Sequence, residues 1–221
     1  MIVMTTLFMP PGPLGQARFE EFKFCIQKNL DNPVVKELVV WLEGEWSDLS
    51  LLKFLQHPKV KAVMTDRRPT YENFFNLASF LKYDNQPVAI CNTDVFFDET
   101  LALCEAIPAK TMYAITRLNW TRRDKFCEYA LQSEGRQGSA DAWVFRVPIA
   151  IPDSNILLGV IGCDSYIAQR ALQASIRVAN PCLSVHVFHL HNVGVRNDTP
   201  NGLNYWYASD YKGVCVQPTR L

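Results

Sequence analysis

Four short stretches of this 221-residue chain carry side chains suited to chemistry. The first is Ala89-Ile90-Cys91-Asn92-Thr93-Asp94-Val95-Phe96-Phe97-Asp98, an apolar run broken by Asn-Thr-Asp and resumed at once. A carboxylate lodged there is half desolvated, which is costly unless a cation or metal partners it. Oxygen ligands of this kind suit Mg²⁺ or Mn²⁺ bridged to substrate phosphates; Asp94 would equally serve as the cap of a turn or helix. The second is Val185-His186-Val187-Phe188-His189-Leu190-His191. In a strand, His189 and His191 share a face with Val185 and Val187 while His186 points away. Two imidazoles at i, i+2 can offer a nitrogen to a divalent ion, or each can be a hydrogen-bonded core residue; no further ligands stand at a zinc-like spacing. The third, Leu157-Leu158-Gly159-Val160-Ile161-Gly162-Cys163-Asp164-Ser165, uses two glycines to bring backbone close to a ligand. Asp164 there opens a helix, either as an N-cap worth about 1 kcal/mol or as a general base at the mouth of a pocket. In the fourth, Ser139-Ala140-Asp141-Ala142-Trp143, Asp141 enters a strand and either binds an acceptor hydroxyl or ends a loop.

The elements that must position these residues follow from apolar periodicity. Strands are predicted at Ile2–Met9, Lys36–Glu43, Val60–Thr65 and Val88–Cys91, alternating with helices over Ala17–Leu30 and Thr70–Leu81 and a short helix capped by Asp48 or Ser50 and running through Leu55. The helix from Ala17 places Phe19, Phe22, Ile26 and Leu30 on one face. Such βα alternation, with strands apolar on both faces, predicts an α/β fold: a mostly parallel central sheet with helices on both faces. Ligands of such sheets bind at the carboxyl ends of the strands, here Pro10–Gly15, Glu43–Asp48, Asp66–Thr70 and Asn92–Asp94. The second half predicts strands at Thr111–Leu118 and Ala142–Val147, a helix over Cys163–Ala174 and a last core strand at Ser184–His191. Between the first two lies a basic segment with Arg117, Arg122, Arg123, Lys125 and Arg136. An aromatic tail with Tyr205, Trp206, Tyr207 and Tyr211 follows residue 197. Segment and tail are candidates for an acceptor groove, a mobile loop or a linker.

Composition narrows the function. Lys+Arg and Asp+Glu both number 22, which argues against a dedicated nucleic-acid binder. Hydrophobic residues at 48% and charged residues at 20% are globular values. No stretch approaches the roughly 18 apolar residues of a membrane span. The opening Met1–Gly15 lacks a basic n-region, so it reads as a strand and loop and not as a signal peptide. Seven cysteines without a Cys-x-x-Cys pair indicate free thiols and a reduced, cytoplasmic setting. Pro10–Gly15 lacks the Gly-Lys-Ser/Thr ending of a P-loop, and neither a Gly-x-Gly-x-x-Gly nor a Gly-x-Ser-x-Gly motif occurs.

The order Arg68-Pro69-Thr70-Tyr71-Glu72-Asn73, Asn92-Thr93-Asp94, Asp141-Ala142-Trp143-Val144-Phe145, Gly162-Cys163-Asp164, His189-Leu190-His191 resembles a compact nucleotide-sugar glycosyltransferase of the GT-A (Rossmann-like) fold. It is especially similar to the glycosyltransferase domains that chloroviruses encode for their capsid protein. The resemblance spans residues 1–196 and implies a single domain. Its nucleotide-binding half covers about 1–98 and its acceptor-binding half about 99–196, with 197–221 a tail or a linker to further domains. It implies a UDP-sugar donor, a glycan or glycoprotein acceptor, Mn²⁺ or Mg²⁺ as cofactor and, for a virus-encoded member, action in the host cytoplasm. By the same resemblance Thr5, Thr6 and Glu43 contact the nucleoside, and Arg68 lies near the uridine or phosphates. Asn73, Asn92 and Thr93 join the donor site, Asp94 with His189 or His191 holds the metal, and Asp164 is the base of an inverting enzyme. Asn92 departs from the Asp-x-Asp pattern, leaving Asp94 the triplet's sole carboxylate. Two alternatives stay open: a sugar-nucleotide pyrophosphorylase, which should carry a basic Gly-rich loop where Pro10–Gly15 has no basic residue, and a non-catalytic carbohydrate- or partner-binding module.

Overall fold

A computed structural model describes residues 1–46, 48–120, 127–129, 139–193, 214 and 216–221. In chain order the elements are β1 (Ile2–Leu7), α1 (Gly15–Asp31), β2 (Glu37–Glu43), a 3-10 helix (Leu49–Leu55), β3 (Val60–Thr65), α2 (Tyr71–Phe80), β4 (Pro87–Cys91) and β5 (Val95–Phe97). A second 3-10 helix (Glu99–Ala106) is followed by β6 (Thr111–Ile115), β7 (Leu118–Trp120), β8 (Cys127–Tyr129), β9 (Ala142–Arg146), α3 (Cys163–Gln173), β10 (Arg177–Ala179) and β11 (Val187–His189).

Seven strands form the central sheet in the order β10-β6-β9-β4-β1-β2-β3. β1 runs parallel to both β2 and β4, β2 to β3, and β10 to β6; β9 alone is antiparallel, inserted between β4 and β6. On one face α1 buries Phe19, Phe22, Ile26 and Leu30 against Val3, Leu38, Val40 and Ala89. On the other, α2 and α3 bury Tyr71, Phe74, Ala78, Ile167 and Ala171 against Met4, Val39, Ile90 and Trp143. This is the predicted mostly parallel α/β sheet covered on both sides, and its carboxyl edge gathers the ends of β1, β2 and β4.

The loop after β1 shows why the chain turns so sharply into α1. Gly15 donates its N–H to Gly12 O at 3.0 Å. A side-chain Cβ at Gly15 would lie 2.1 Å from the Pro10 carbonyl oxygen, so only glycine fits. α2 starts on a capping box, Thr70 with Asn73, that satisfies the helix's first N–H groups.

Three elements differ from the pattern expected of the sequence. β3 is an edge strand with half its residues exposed, because among the described residues no strand pairs beyond it. The predicted strand Thr111–Leu118 breaks after Ile115, where Thr116 N–H turns to Asn180 Oδ1 at 3.0 Å; Leu118–Trp120 then joins another sheet. The stretch Ser184–His191 is not a core strand of the main sheet. Only Val187–His189 is extended, in a small sheet of order β5-β11-β7-β8 whose described strands are three residues each. Alternating apolar residues announce a strand but not the sheet it joins.

Residues 216–221, within the predicted tail, return to the domain. Thr219 N–H donates to Asn180 O at 2.7 Å and Leu183 N–H to Thr219 O at 3.3 Å. The basic residues from Arg122 to Arg136 and the aromatic residues Tyr205 to Tyr211 lie outside the described residues. Among those described, no helix is long and apolar enough to cross a membrane. Cys25, Cys91, Cys104 and Cys163 are free and buried, and burial pushes the Cys163 thiol up to about 12.

Candidate functional site

Three polar clusters stand along the carboxyl edge of the central sheet. The central one begins where β4 ends: Val95 N–H closes a turn onto Asn92 O at 3.2 Å, carrying the chain through Asp94 into β5. β11 pairs with β5 so that His189 stands opposite Val95, one residue from Asp94. Leu190 N–H donates to Asp94 O at 2.9 Å, which holds the following His191 near the same carboxylate. His189 Nε2 lies 3.1 Å, and His191 Nδ1 3.8 Å, from Asp94 Oδ2. His186, the third imidazole of the motif, is elsewhere, bonded to Asp98 at 2.9 Å.

Sequence reasoning missed the fourth member, Arg18 of α1. Arg18 is only 5% exposed. Nη1 donates to Glu21 at 2.6 Å and Leu190 O at 2.8 Å; Nη2 donates to Asp94 Oδ2 and to His191 Nδ1 at 3.1 Å. A guanidinium has only donors, so His191 Nδ1 is the acceptor and the ring is neutral, in keeping with burial and the Arg18 charge lowering its pKa. Burial opposes ionisation of Asp94, but His189, Arg18 and His191 together outweigh it and hold the carboxyl well below the usual range. α1 is fixed over this cluster by Asn29, which donates to Val95 O at 2.9 Å and accepts from Phe97 N–H at 3.1 Å. The sequence did carry a signal: Arg18 and Glu21, three apart, interleave with Phe19 and Phe22 on the buried stripe.

The second cluster joins Asp141, Asn92 and Asp164. Arg117 Nη1 contacts both Asp141 carboxylate oxygens at 3.1 Å, Asn92 Nδ2 donates to Oδ1 at 2.9 Å and Ser139 Oγ to Oδ2 at 2.7 Å. Among the described residues, Asn92 Oδ1 is buried with no hydrogen-bond partner. It faces Gly159, whose φ of +76° suits glycine and where a Cβ would stand 3.4 Å from that oxygen. Gly162, not Asp164, caps α3; Asp164 sits in the first turn and accepts from Ala140 N–H at 3.1 Å and Ser165 N–H at 2.9 Å. Burial raises its pKa despite these bonds, and the neighbouring Asp141 charge adds to the rise.

The third cluster is Thr5, Thr6, Thr93, Glu43 and Arg68. Thr5 Oγ1 donates to Cys91 O at 3.0 Å, and the Thr6 and Thr93 hydroxyls share a bond of 2.9 Å, tying β1 to the turn after β4. Arg68 Nε reaches Glu43 Oε2 at 3.5 Å over the ring of Phe8. Burial raises the Glu43 pKa against the pull of Arg68 and a hydrogen bond from Thr6, and among the described residues Glu43 Oε1 is buried with no hydrogen-bond partner. Asn73 stands apart from all three clusters in its bonding: its side-chain oxygen is engaged by Thr70 N–H at 2.9 Å and Thr70 Oγ1 at 3.0 Å.

One oxygen and two nitrogens of Asp94, His189 and His191 lie within 4.8 Å of one another. Ligands about 2.1 Å from a common ion are separated by roughly 3–4 Å, so the donor set fits Mn²⁺ or a similar divalent cation in type and spacing.

No family model matches the chain, and no curated protein matches it in sequence. In three dimensions it is similar to GalNAc-T7 bound to UDP, GalNAc and Mn²⁺ (TM-score 0.53, 10% identity, covering 86% of this chain and 43% of that one). It is also similar to Staphylococcus aureus TarS 1–349 with UDP-GlcNAc (TM-score 0.50, 11% identity, 86% and 58% covered). A Bacillus anthracis protein assigned as a glucose-1-phosphate thymidylyltransferase, in complex with sucrose, is similar as well (TM-score 0.51, 8% identity, 85% and 89% covered). The chain thus spans less than two thirds of the two glycosyltransferase-type neighbours. These likenesses define the fold: it is GT-A-like, the fold of nucleotide-sugar transferases.

Proposed function

We propose that the protein is a metal-dependent glycosyltransferase that moves a sugar from a UDP-sugar to a glycan or glycoprotein acceptor, with inversion. The observation that carries this is the Asp94–His189–His191 donor set at the carboxyl edge of a GT-A-like sheet, a fold that GalNAc-T7 uses with UDP and Mn²⁺. Bound there, Mn²⁺ or Mg²⁺ would stabilise the negative charge that develops on a departing diphosphate. The chain's own residues supply the rest. The orphaned Glu43 oxygen accepts an N–H of the nucleobase, with Thr5 and Thr6 setting the floor and Arg68 adding a fixed positive charge towards the phosphates. Asn92 and Thr93 line the donor side, and Asp141 holds Asn92 in place. Asp164 takes the proton of the acceptor hydroxyl. Each of its oxygens accepts one backbone N–H and keeps a lone pair, and a raised pKa makes it a stronger base than an ordinary aspartate. A carboxylate pair of the glycosidase type is not needed, since the phosphate leaves without protonation.

A second reading has one observation in its favour: the thymidylyltransferase likeness covers 89% of that chain. Against it stands the loop Pro10–Gly15, which carries no basic residue to hold a triphosphate. A thermal-shift screen of UDP-sugars, nucleoside triphosphates and sugar 1-phosphates, each with and without Mn²⁺, separates the two by mass action. Stabilisation by UDP-sugars that depends on Mn²⁺, together with Mn²⁺-dependent release of UDP, is the expected result. Stabilisation by triphosphates alone would favour the second reading, and binding without turnover would mark a non-catalytic module.

A further inference from the structure

Arg18 Nη2 donates to two of the three groups that would hold the ion, Asp94 Oδ2 and His191 Nδ1. A carboxylate oxygen has lone pairs to share, but an imidazole Nδ1 has only one. While that lone pair accepts from Arg18 it cannot bind a cation. His189 Nε2, bonded to the Asp94 carboxylate at 3.1 Å, must likewise carry its proton here, because an ionised carboxylate only accepts. One carboxylate, one guanidinium and two imidazoles thus satisfy one another in mutual hydrogen bonds.

Resting on the metal-dependent reading above, we propose that Arg18 is the resident counter-ion of the Asp94–His189–His191 cluster, and that a divalent cation binds there only by displacing the guanidinium onto Glu21. The displacement is built into the geometry. Nη1 is anchored independently, to Glu21 at 2.6 Å and Leu190 O at 2.8 Å, so the guanidinium gives up only its two Nη2 bonds, while His189 passes its Nε2 proton to Nδ1 or to solvent as that nitrogen takes the cation. Phe22, whose ring centroid lies 4.8 Å from the guanidinium carbon, supports the side chain on its other flank. Glu21 in turn accepts Asn192 N–H at 2.9 Å and Val193 N–H at 3.2 Å, which fixes the segment after His191. Electrostatics sets the threshold. With Arg18 present, Asp94 and Glu21 contribute two negative charges against one positive, and an incoming dication must settle beside that positive charge in a poorly solvated site. Without Arg18, the same dication would meet two uncompensated carboxylates. Arg18 thus keeps the carboxylate neutralised when metal is scarce and restricts occupancy to higher metal concentrations.

The test is direct Mn²⁺ binding to the purified full chain without nucleotide, read as the loss of the free-ion electron paramagnetic resonance signal. Arg18→Met should bind Mn²⁺ about tenfold or more tightly than wild type. Glu21→Gln should bind it several-fold more weakly, because Arg18 then has no carboxylate but Asp94. Opposite signs from two neighbouring substitutions separate this from general loosening of α1. Should Arg18→Met fail to fold, Arg18→Lys serves: a single ammonium cannot span Glu21, Leu190 O and His191 together, so affinity should still rise. Wild-type Mn²⁺ binding with no tightening in the Arg18 variants would overturn the proposal and leave the metal-dependent reading standing. Tightening that survives an added Asp94→Asn arises elsewhere, and would also overturn it. No Mn²⁺ binding in any form would end both.

Discussion

Asp94 and Asp164 are aspartates near the same edge of one sheet, one buried and the other half-buried, yet their surroundings drive them apart. Around Asp94, His189, Arg18 and His191 outweigh burial, and the carboxyl is held ionised far into acid. Around Asp164 no cation is among the influences: the backbone N–H groups of Ser165, Ala140 and Asp164 itself lower the pKa, burial and Asp141 raise it, and burial wins. Where two carboxyls in one site are pushed in opposite directions, they are suited to different roles. The permanently charged one is suited to holding a cation, and the other to handling a proton, the roles proposed for them above. Charged partners come from side chains that other elements must deliver. At Asp164 the donors are uncharged backbone N–H groups, from the start of α3 and from Ala140, and they leave the carboxylate bound but still basic.

The largest effect should come from removing the first of the two. Asp94→Ala strands Arg18 with Glu21 alone and deletes the only carboxylate of the donor set. Metal-dependent turnover of donor should fall to background, and urea unfolding should show a loss of about 3–5 kcal/mol, the usual cost of breaking a buried pair. Retained Mn²⁺-dependent activity would remove Asp94 from the site. Asp164→Asn should slow transfer by about 10²–10⁴ with UDP binding unchanged; a collapse of UDP binding instead would place Asp164 on the donor side and void the contrast. The wild-type pH profile sharpens it further. A base must be ionised, so kcat/KM should fall as pH drops through the raised Asp164 pKa, with an acid limb above the ordinary aspartate range. Asp141→Asn removes a neighbouring like charge and should move that limb modestly to lower pH.

The same contrast governs what could be read from the sequence. β1, β2 and β4 announced themselves because parallel strands covered on both faces are continuous apolar runs, and the residues at their carboxyl ends followed from the topology. Asp94 and the two histidines were legible as types in the right order. Arg18 was not, although it completes the cluster. Its partners lie 76 positions away at Asp94 and 173 at His191, and an amphipathic helix assigns its charges to solvent unless tertiary contacts say otherwise. His191 was placed by alternation, but β11 ends at His189, and it is the Leu190–Asp94 backbone bond that brings the second ring in. Asn73 shows the reverse: its side-chain oxygen caps a helix with Thr70, a purpose that the spacing Thr70-x-x-Asn73 alone could equally have announced. The small sheet eluded the pattern altogether, since three-residue strands are shorter than one period of convincing alternation.

The smallest expected effect lies with Glu43, which sits between the two aspartates in character. It has a cation, like Asp94, but only one contact with it, at 3.5 Å, and burial therefore prevails and its pKa is raised. A carboxyl whose pKa is higher folded than unfolded contributes most to stability below its unfolded pKa, and that contribution is lost as pH rises through the folded value. Wild type should thus gain on Glu43→Gln as pH falls from 7 to 4, whereas near neutrality the variant, freed of a buried charge but leaving Arg68 unpaired, should differ by no more than about 1 kcal/mol. Urea midpoints at the two pH values measure this. A stability gap that widened in favour of wild type towards neutral pH would mean that Arg68 dominates, making Glu43 a second Asp94. At the same time UDP binding should weaken by about tenfold, since an amide placed at the orphaned Oε1 offers a weaker acceptor to a nucleobase N–H than a carboxylate does. Undiminished UDP binding would show that the unpaired oxygen faces something other than the nucleoside.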